Sequence, residues 1–322
     1  MKYTIYGDEL SLFTRKLECA CLFYGLEFER RTKPPDTAAT IEQRAATHQV
    51  PVLHTPENWM LADTTPILGL LDGRYPGREM FPPGIHGAIV HILEEFFDEW
   101  VSRVMVHFRW HYPASAEFAA ERMSNGDREV AATLKDWGRR AYRATGTEFP
   151  QQQHAAEQEY LDLMAAAEKR LGQTPYLLGD RPTALDCCVI GGLRAHTLMD
   201  PDPKPKLSRL TTLLDWNERR AYESMPVTPF PALGALTPFA ELVLTKLSET
   251  YQPFALANAA ALASGAKLFE AQSYGDSVRY LCRSYPERSR RMVRARIGTL
   301  TSRERVTLDE LLTTYRAQSC FA

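Results

Sequence analysis

The sequence predicts an α/β domain over residues 1–80, a linker at 81–84, an all-helical domain over 85–227 and a further helical stretch over 228–322. Three observations lead there. Short apolar alternations near the N-terminus, as at Tyr3-Thr4-Ile5-Tyr6, have the period of half-buried strands. They are interleaved with apolar residues at helical spacing, first at Phe13, Leu17, Ala20, Cys21 and Tyr24. Beyond Phe81-Pro82-Pro83-Gly84 the strand signal fades and helical spacing takes over.

The elements follow in order. Gly7-Asp8-Glu9 is a loop, and the first helix carries Arg15, Lys16 and Glu18 on its polar side. Gly25 is placed to cap that helix, because glycine enters the left-handed region without a Cβ penalty. Leu26 and Phe28 alternate with charged residues in a second strand. Residues 33–40 form a loop before a short, weakly helical stretch. Val52-Leu53 and Trp59-Met60-Leu61 form a hairpin around Thr55-Pro56-Glu57-Asn58. Ile67, Leu68, Leu70 and Leu71 mark a helix that stops near Gly73, giving the order β-α-β-α-β-β-α. In the second part, Ile92, Leu93, Phe96, Phe97, Trp100 and Val104 predict a long helix within residues 89–109. Tyr160, Leu163, Met164, Ala167 and Leu171 predict another. Thr183 and Asp186 have capping-box spacing ahead of an apolar helix through Val189, Ile190 and Leu193. Residues 228–238 hold three prolines and are expected to connect to the final helical stretch.

Composition narrows the function classes. The chain has 322 residues, of which 44% are hydrophobic and 24% charged, with a formal net charge of −2. That balance gives no global pull toward nucleic acid or an anionic membrane. No segment approaches the roughly 20 apolar residues that span a bilayer, and Met-Lys-Tyr-Thr-Ile-Tyr-Gly-Asp has no basic-then-apolar leader. Cys19, Cys21, Cys187, Cys188, Cys282 and Cys320 form no Cys-x-x-Cys pair and suit a reducing cytoplasm.

Residues 49–71 carry the chemistry. A Val50-Pro51 step opens the third strand, and Asp63-Thr64 opens the next helix. If that bond is cis, the Val50 N–H and C=O face outward and can pair with an extended peptide, as a sheet edge does. The free N–H groups of the helix N-terminus can hold a carboxylate, and Asp63 can hold an ammonium. A short peptide carrying both groups on one end fits this arrangement.

This order, with Val50-Pro51, Asp63-Thr64 and Tyr176-Leu177-Leu178-Gly179-Asp180-Arg181-Pro182-Thr183-Ala184-Leu185-Asp186, resembles the cytosolic glutathione transferase family over residues 1 to about 226. The resemblance implies a thioredoxin-like N-terminal domain followed by an all-α domain, and a homodimer. It implies that Pro51 is cis and that Val50-Pro51 grips the cysteinyl backbone of glutathione, while Asp63 and Thr64 hold its γ-glutamyl end. By the same analogy Gln49 and His48 meet the glycyl carboxylate. Family members place a Tyr, Ser or Cys at the first helix N-terminus. Here Ser11 stands there, with Thr14 one turn on, and the proline usual near that turn is absent. Ser11 is then a hydrogen-bond donor to the glutathione thiolate. A donor is needed because a free thiol, with a pKa near 8.5, is mostly protonated at pH 7. Without Cys-x-x-Cys at this site there is no dithiol nucleophile. The implied activity is conjugation of glutathione, as co-substrate, to a small electrophile, in a detoxification-type role. Arg103, Arg109, Trp110 and Tyr112 are the candidates for the electrophile site. The alternative is a ligand-binding or adaptor protein that keeps the fold without turnover, which Phe13 at a turn position and the extra residues 228–322 favour.

Other patterns have plainer readings. His107 and His111 have metal-ligand spacing, but no third ligand is evident and Phe108 replaces the glutamate of a His-Glu-x-x-His motif, so no metal is expected. Cys187-Cys188 is read as packing, and Asp186 as structural. Arg288-Ser289-Arg290-Arg291 with Arg294 and Arg296 is read as a solvated face. A serine-hydrolase role for Ser11 lacks the Gly-x-Ser-x-Gly elbow.

Overall fold

The structure, a computed structural model, describes residues 2–227 and 235–322. The N-terminal domain runs β1 (Tyr3–Tyr6), α1 (Leu12–Tyr24), β2 (Phe28–Arg31), α2 (Ala38–Ala45), β3 (Val52–His54), β4 (Met60–Ala62) and α3 (Thr64–Arg74). The sheet order is β2-β1-β3-β4. β1 is parallel to β2, with Tyr3 opposite Phe28, and antiparallel to β3, with Ile5 opposite Leu53. The β3–β4 pair is antiparallel, with Val52 opposite Ala62. This is the thioredoxin-like arrangement of sheet and helices. Gly25 ends α1 at φ 73°, and its N–H caps the carbonyl of Leu22 at 2.9 Å.

The second part begins with α4 (Ile85–Glu95), a π-helical segment over Phe96–Val101 and α5 (Ser102–Trp110), which together form one continuous run. α6 (Pro113–Met123), α7 (Arg128–Arg139), α8 (Tyr142–Thr145), α9 (Pro150–Leu171), α10 (Ala184–Gly192) and α11 (Thr211–Arg220) complete it. The capping box at α10 is formed: Asp186 accepts from Thr183 N at 2.8 Å, Thr183 Oγ1 at 2.9 Å and Leu177 N at 2.9 Å. Burial pushes its carboxyl up to about 6. α10 packs directly on α1. A Cβ on Gly191 would stand 2.7 Å from the Lys16 backbone nitrogen and 2.8 Å from the Leu12 carbonyl oxygen, so the two helices meet backbone to backbone there.

The remaining residues fold as α12 (Pro238–Lys246), α13 (Gln252–Ser264), a hairpin of β5 (Leu268–Ser273) and β6 (Asp276–Leu281), α14 (Ser284–Gly298), α15 (Ser302–Thr314) and α16 (Gln318–Phe321). Most of the 228–238 connector lies outside the described residues. The helical expectation for this stretch misses the hairpin. Its turn residues Tyr274 and Gly275 both have positive φ, 57° and 82°, the primed-turn geometry that matches strand twist. Ala271 and Ser273 face inward on one strand and Val278 and Tyr280 on the other, a period of two.

These elements share one core with the helical domain. Trp100 is fully buried, its ring centroid 5.3 Å from Phe254 and 6.2 Å from both Tyr251 and Tyr280. α14 lies against α4: Ser289 donates to the Glu95 carboxylate, as does Tyr251 from just before α13, and Arg296 Nε donates to His91 Nδ1 at 3.1 Å. From α15, Glu304 Oε1 accepts the Ile85 N–H at 3.2 Å and so caps α4. The run from Ile85 to Val101 is therefore covered on its polar side too, and Glu94, Glu95, Asp98 and Glu99 are all buried.

Candidate functional site

Two helix N-termini define the candidate site. At the first, Ser11 is the N-cap of α1 at φ −96°, and its Oγ accepts the Thr14 N–H at 3.2 Å. The turn before it is held by Asp8, whose Oδ1 accepts Leu10 N at 2.8 Å. Arg109 anchors that turn from the helical domain: it donates to the Leu10 carbonyl at 2.6 Å and pairs with buried Asp200 at 3.0 Å. Ser11 is half-buried, whereas Thr14 is fully buried beneath Gly7, where a Cβ would come within 2.4 Å of its Oγ1. Of the two, only Ser11 is partly exposed, and its hydroxyl proton has no acceptor among the described residues.

The third strand is preceded by a cis Val50–Pro51 bond. Neither the N–H nor the C=O of Val50 is hydrogen-bonded among the described residues. Lys33 fixes the approach: its Nζ donates to the carbonyls of His48 at 2.8 Å and Gln49 at 3.0 Å. The His48 and Gln49 side chains are exposed.

At the second N-terminus, Asp63 is the N-cap of α3 in an unusual conformation, φ 73° and ψ 114°, which a residue with a Cβ rarely adopts. It makes no capping hydrogen bond. Its Oδ2 is buried with no hydrogen-bond donor, although the exposed guanidinium of Arg288, on α14, makes an ion pair with it at 3.4 Å. Burial raises its pKa, an effect opposed by the charges of Arg288 and Lys16. Thr64 is buried beside it.

Behind both termini lies a buried charge cluster around Lys16, a residue whose spacing puts it on the polar side of α1. Lys16 is fully buried on α1 because carboxylates meet it: its Nζ binds Glu94, Asp98 Oδ2 at 2.6 Å and Thr65 Oγ1 at 3.3 Å. Burial works against the Lys16 charge, but Asp98 and Glu94 outweigh it and hold the pKa well above the usual lysine value. Burial likewise works against the Glu94 charge, and Lys16 brings that carboxyl below its usual value. Burial pushes Asp98 up to about 7, with Lys16 opposing and Glu94 reinforcing. Cys188, read from sequence as packing, donates its thiol to Asp98 Oδ1 at 2.9 Å.

The four electrophile-site candidates are dispersed. Arg103 is buried in the helical domain, with Nη1 donating to the Thr145 carbonyl at 2.8 Å and the guanidinium carbon 3.7 Å from the Trp100 ring centroid. Trp110 packs edge-on to Trp137 with ring centroids 5.9 Å apart, and Tyr112 donates to Glu157 at 2.6 Å. Arg109 alone of the four reaches the turn at Ser11. His107 and His111 face each other, Nδ1 to Nδ1, at 2.8 Å, and His107 Nε2 meets Glu157 at 2.9 Å. No cluster of three or more His, Cys, Asp or Glu suited to a metal occurs among the described residues.

Residues 5–79 match the family model described as glutathione S-transferase, N-terminal domain. That segment, the first domain of the chain, is similar to the N-terminal domain of glutathione S-transferases. No curated protein matches the chain. Solved structures include a glutathione S-transferase from Rhodospirillum rubrum F11, 17% identical, covering 74% of this chain and 99% of that one with a TM-score of 0.47. A glutathione transferase from Phanerochaete chrysosporium is 15% identical, with 70% and 99% covered and a TM-score of 0.49. One from Methylobacterium radiotolerans JCM 2831, in complex with glutathione sulfonate, is 19% identical, with 74% and 100% covered and a TM-score of 0.44. At these levels the match over residues 5–79, not the neighbours, carries the likeness. The matched segment contains Ser11, Val50, Pro51, Asp63 and Thr64. Tyr285 and Arg288, which stand beside Asp63, come from outside it and carried no sequence signal that separates them from an ordinary solvated helix face.

Proposed function

We propose that the protein is a glutathione-dependent transferase. The observation that carries this reading is Asp63 Oδ2, buried at the N-terminus of α3 without a hydrogen bond and met only by the exposed Arg288 guanidinium at 3.4 Å, in the segment that matches the glutathione S-transferase N-terminal domain. A buried acceptor oxygen without a hydrogen bond costs free energy, and an ammonium from a ligand supplies that bond in place of the exposed Arg288. Asp63 and Thr64 then take the γ-glutamyl end of glutathione, Val50 and Pro51 the cysteinyl backbone, and Gln49 and His48 the glycyl carboxylate. The Ser11 hydroxyl, whose proton is uncommitted, donates to the thiolate. With the α1 N-terminus it lowers the thiol pKa by stabilising the charged form. The thiolate attacks an electrophilic carbon, forming the C–S bond as the leaving group departs or as charge moves onto an acceptor in the substrate. Resemblance supports a homodimer in the cytoplasm. No helix among the described residues is long and apolar enough to cross a membrane.

The alternative, a binding or adaptor protein without turnover, draws on one observation: Arg288 already sits against Asp63. Calorimetric titration with reduced glutathione near pH 7 tests the transferase reading. Saturable binding that weakens on Asp63→Asn, with turnover of a model electrophile, is the expected result. Binding without turnover of any electrophile selects the adaptor, and no heat at millimolar glutathione rejects both uses of the site.

A further inference from the structure

The C-terminal extension reaches the very acid that the proposed function assigns to the ligand. α14 presents Tyr285 and Arg288, three residues apart and so on one helix face. The Arg288 guanidinium is 3.4 Å from Asp63 Oδ2 and 5.7 Å from the Tyr285 ring centroid. The Tyr285 hydroxyl stands beside the same carboxylate, and Asp63 holds the Tyr285 pKa up, after burial itself. The two members of the ion pair differ sharply in exposure: the Arg288 side chain is 61% exposed and that of Asp63 is 9% exposed. An exposed cation of this kind contributes little to stability, because water screens it and its side chain loses freedom. It is also mobile enough to change partners.

The first turn of α14 is held in place independently of that pair. Asn258 is fully buried, donates to the Arg283 carbonyl at 2.8 Å and accepts the Arg283 N–H at 3.0 Å. Glu287 binds Arg290 Nε at 2.8 Å and Arg291 Nε at 2.7 Å, so these two arginines of the basic run are spent on the helix itself. Ser289 is tied to Glu95. Arg283 adds a second cation on this side: its Nε and Nη2 are buried without hydrogen-bond partners, and Glu99 feels the charges of both Arg283 and Asp63.

We propose that Arg288 and Tyr285, carried by the C-terminal extension, complete the γ-glutamyl subsite by binding the α-carboxylate of the ligand. This inference rests on the glutathione reading above. An α-amino acid end carries its ammonium and carboxylate on one carbon. When the ammonium takes Asp63, the carboxylate is delivered next to the position Arg288 held, and Arg288 moves from one carboxylate to the other. Arg288 occupies the place beside Asp63 that the ligand ammonium takes, and it gives the buried acid its countercharge. The extension is then part of the binding site, and the specificity it confers is for a zwitterionic amino-acid end over a simple acid or a simple amine.

The experiment is calorimetric titration of the full chain, wild type, Arg288→Ala and Tyr285→Phe, with reduced glutathione and with cysteinylglycine, which lacks the γ-glutamyl group. Arg288→Ala should weaken glutathione binding about tenfold, the effect of one charge-assisted hydrogen bond, while Tyr285→Phe weakens it less. Binding of cysteinylglycine should be the same for all three proteins. Because Arg288 is exposed, its thermal midpoint should match that of the wild type, which separates loss of a ligand contact from loss of structure. Wild-type binding that Arg288→Ala leaves unchanged or tightens overturns the proposal alone, and a tightening identifies Arg288 as a plug. No binding of glutathione by the wild type overturns the underlying reading and the proposal with it.

Discussion

The N-termini of α1 and α3 look alike in sequence, each a polar residue ahead of an apolar helix, yet they differ physically. Ser11 has ordinary extended geometry and a made cap. Asp63 has a left-handed φ, no cap and a buried oxygen without a donor. Stability alone accounts for much of Ser11, since an N-cap hydroxyl contributes on the order of 1 kcal/mol. Stability does not account for Asp63, because its backbone conformation costs roughly 1–3 kcal/mol and its burial raises the cost of its charge. A residue that is costly where it stands is better explained by what it binds. The contrast makes Asp63 the stronger marker of a ligand site and leaves Ser11 with two roles to be separated.

The largest expected effect tests the base the two termini share. Lys16 on α1 binds Thr65 on α3 together with Glu94 and Asp98. Lys16→Met should destabilise the protein by about 3–5 kcal/mol, the cost of leaving buried carboxylates without their partner. Urea unfolding measures it, and a loss below about 1 kcal/mol would mean that the cluster behaves like a surface pair. Next, Asp63→Asn should lower glutathione affinity about tenfold or more while leaving the unfolding midpoint unchanged or higher. A clear fall in stability with unchanged affinity would make Asp63 a structural cap like Ser11 and erase the contrast.

A pH experiment sharpens the electrostatic side. Burial pushes Glu99 from the usual 4.5 up to about 7, despite Arg283. The folded state therefore keeps a proton that the unfolded chain releases, and stability falls as pH rises from about 4.5 to about 7. His91, His111 and His196, each pushed down to about 4 by burial, act in the opposite sense between about 4 and 6.5, so the whole-protein slope is a mixture. The informative quantity is the difference between wild type and Glu99→Gln. Unfolding free energies should diverge across that window in favour of the variant at higher pH, and parallel curves would remove Glu99 from the titrating set. The smallest effect is Ser11→Ala, with a stability loss on the order of 1 kcal/mol. If Ser11 also donates to the thiolate, the pKa of bound glutathione, read from thiolate absorbance, rises in the variant. An unmoved thiol pKa leaves Ser11 a cap only.

The N-terminal domain was legible because its signals are local. Strand alternation, helical spacing, the Gly25 cap, the Thr55–Asn58 turn and the Thr183–Asp186 box each act over a few residues, and their periods follow from backbone geometry. The same locality put Ser11, Pro51 and Asp63 at their element ends. The hairpin at Leu268–Leu281 carried a usable signal in its period-two pattern around Tyr274-Gly275, obscured by helical spacing on both sides.

Other features were beyond any local reading. Lys16 and Glu18 read as a polar face, and by periodicity they are one. Lys16 is buried because α10 covers α1 at Gly191 and because α4 and the π-helical segment after it bring Glu94 and Asp98 to it from far along the chain, while Glu18 is buried in ion pairs with Arg15 and Arg30. Arg288 likewise read as part of a solvated basic run, and only the packing of α14 on α4 carries it to Asp63. Sequence by itself determined the elements, their order and which residues stand at their ends, since those depend on neighbours in the chain. Tertiary structure alone decided which charges are desolvated and which partners they meet, since burial and ion pairing depend on distances between segments that the chain order does not encode.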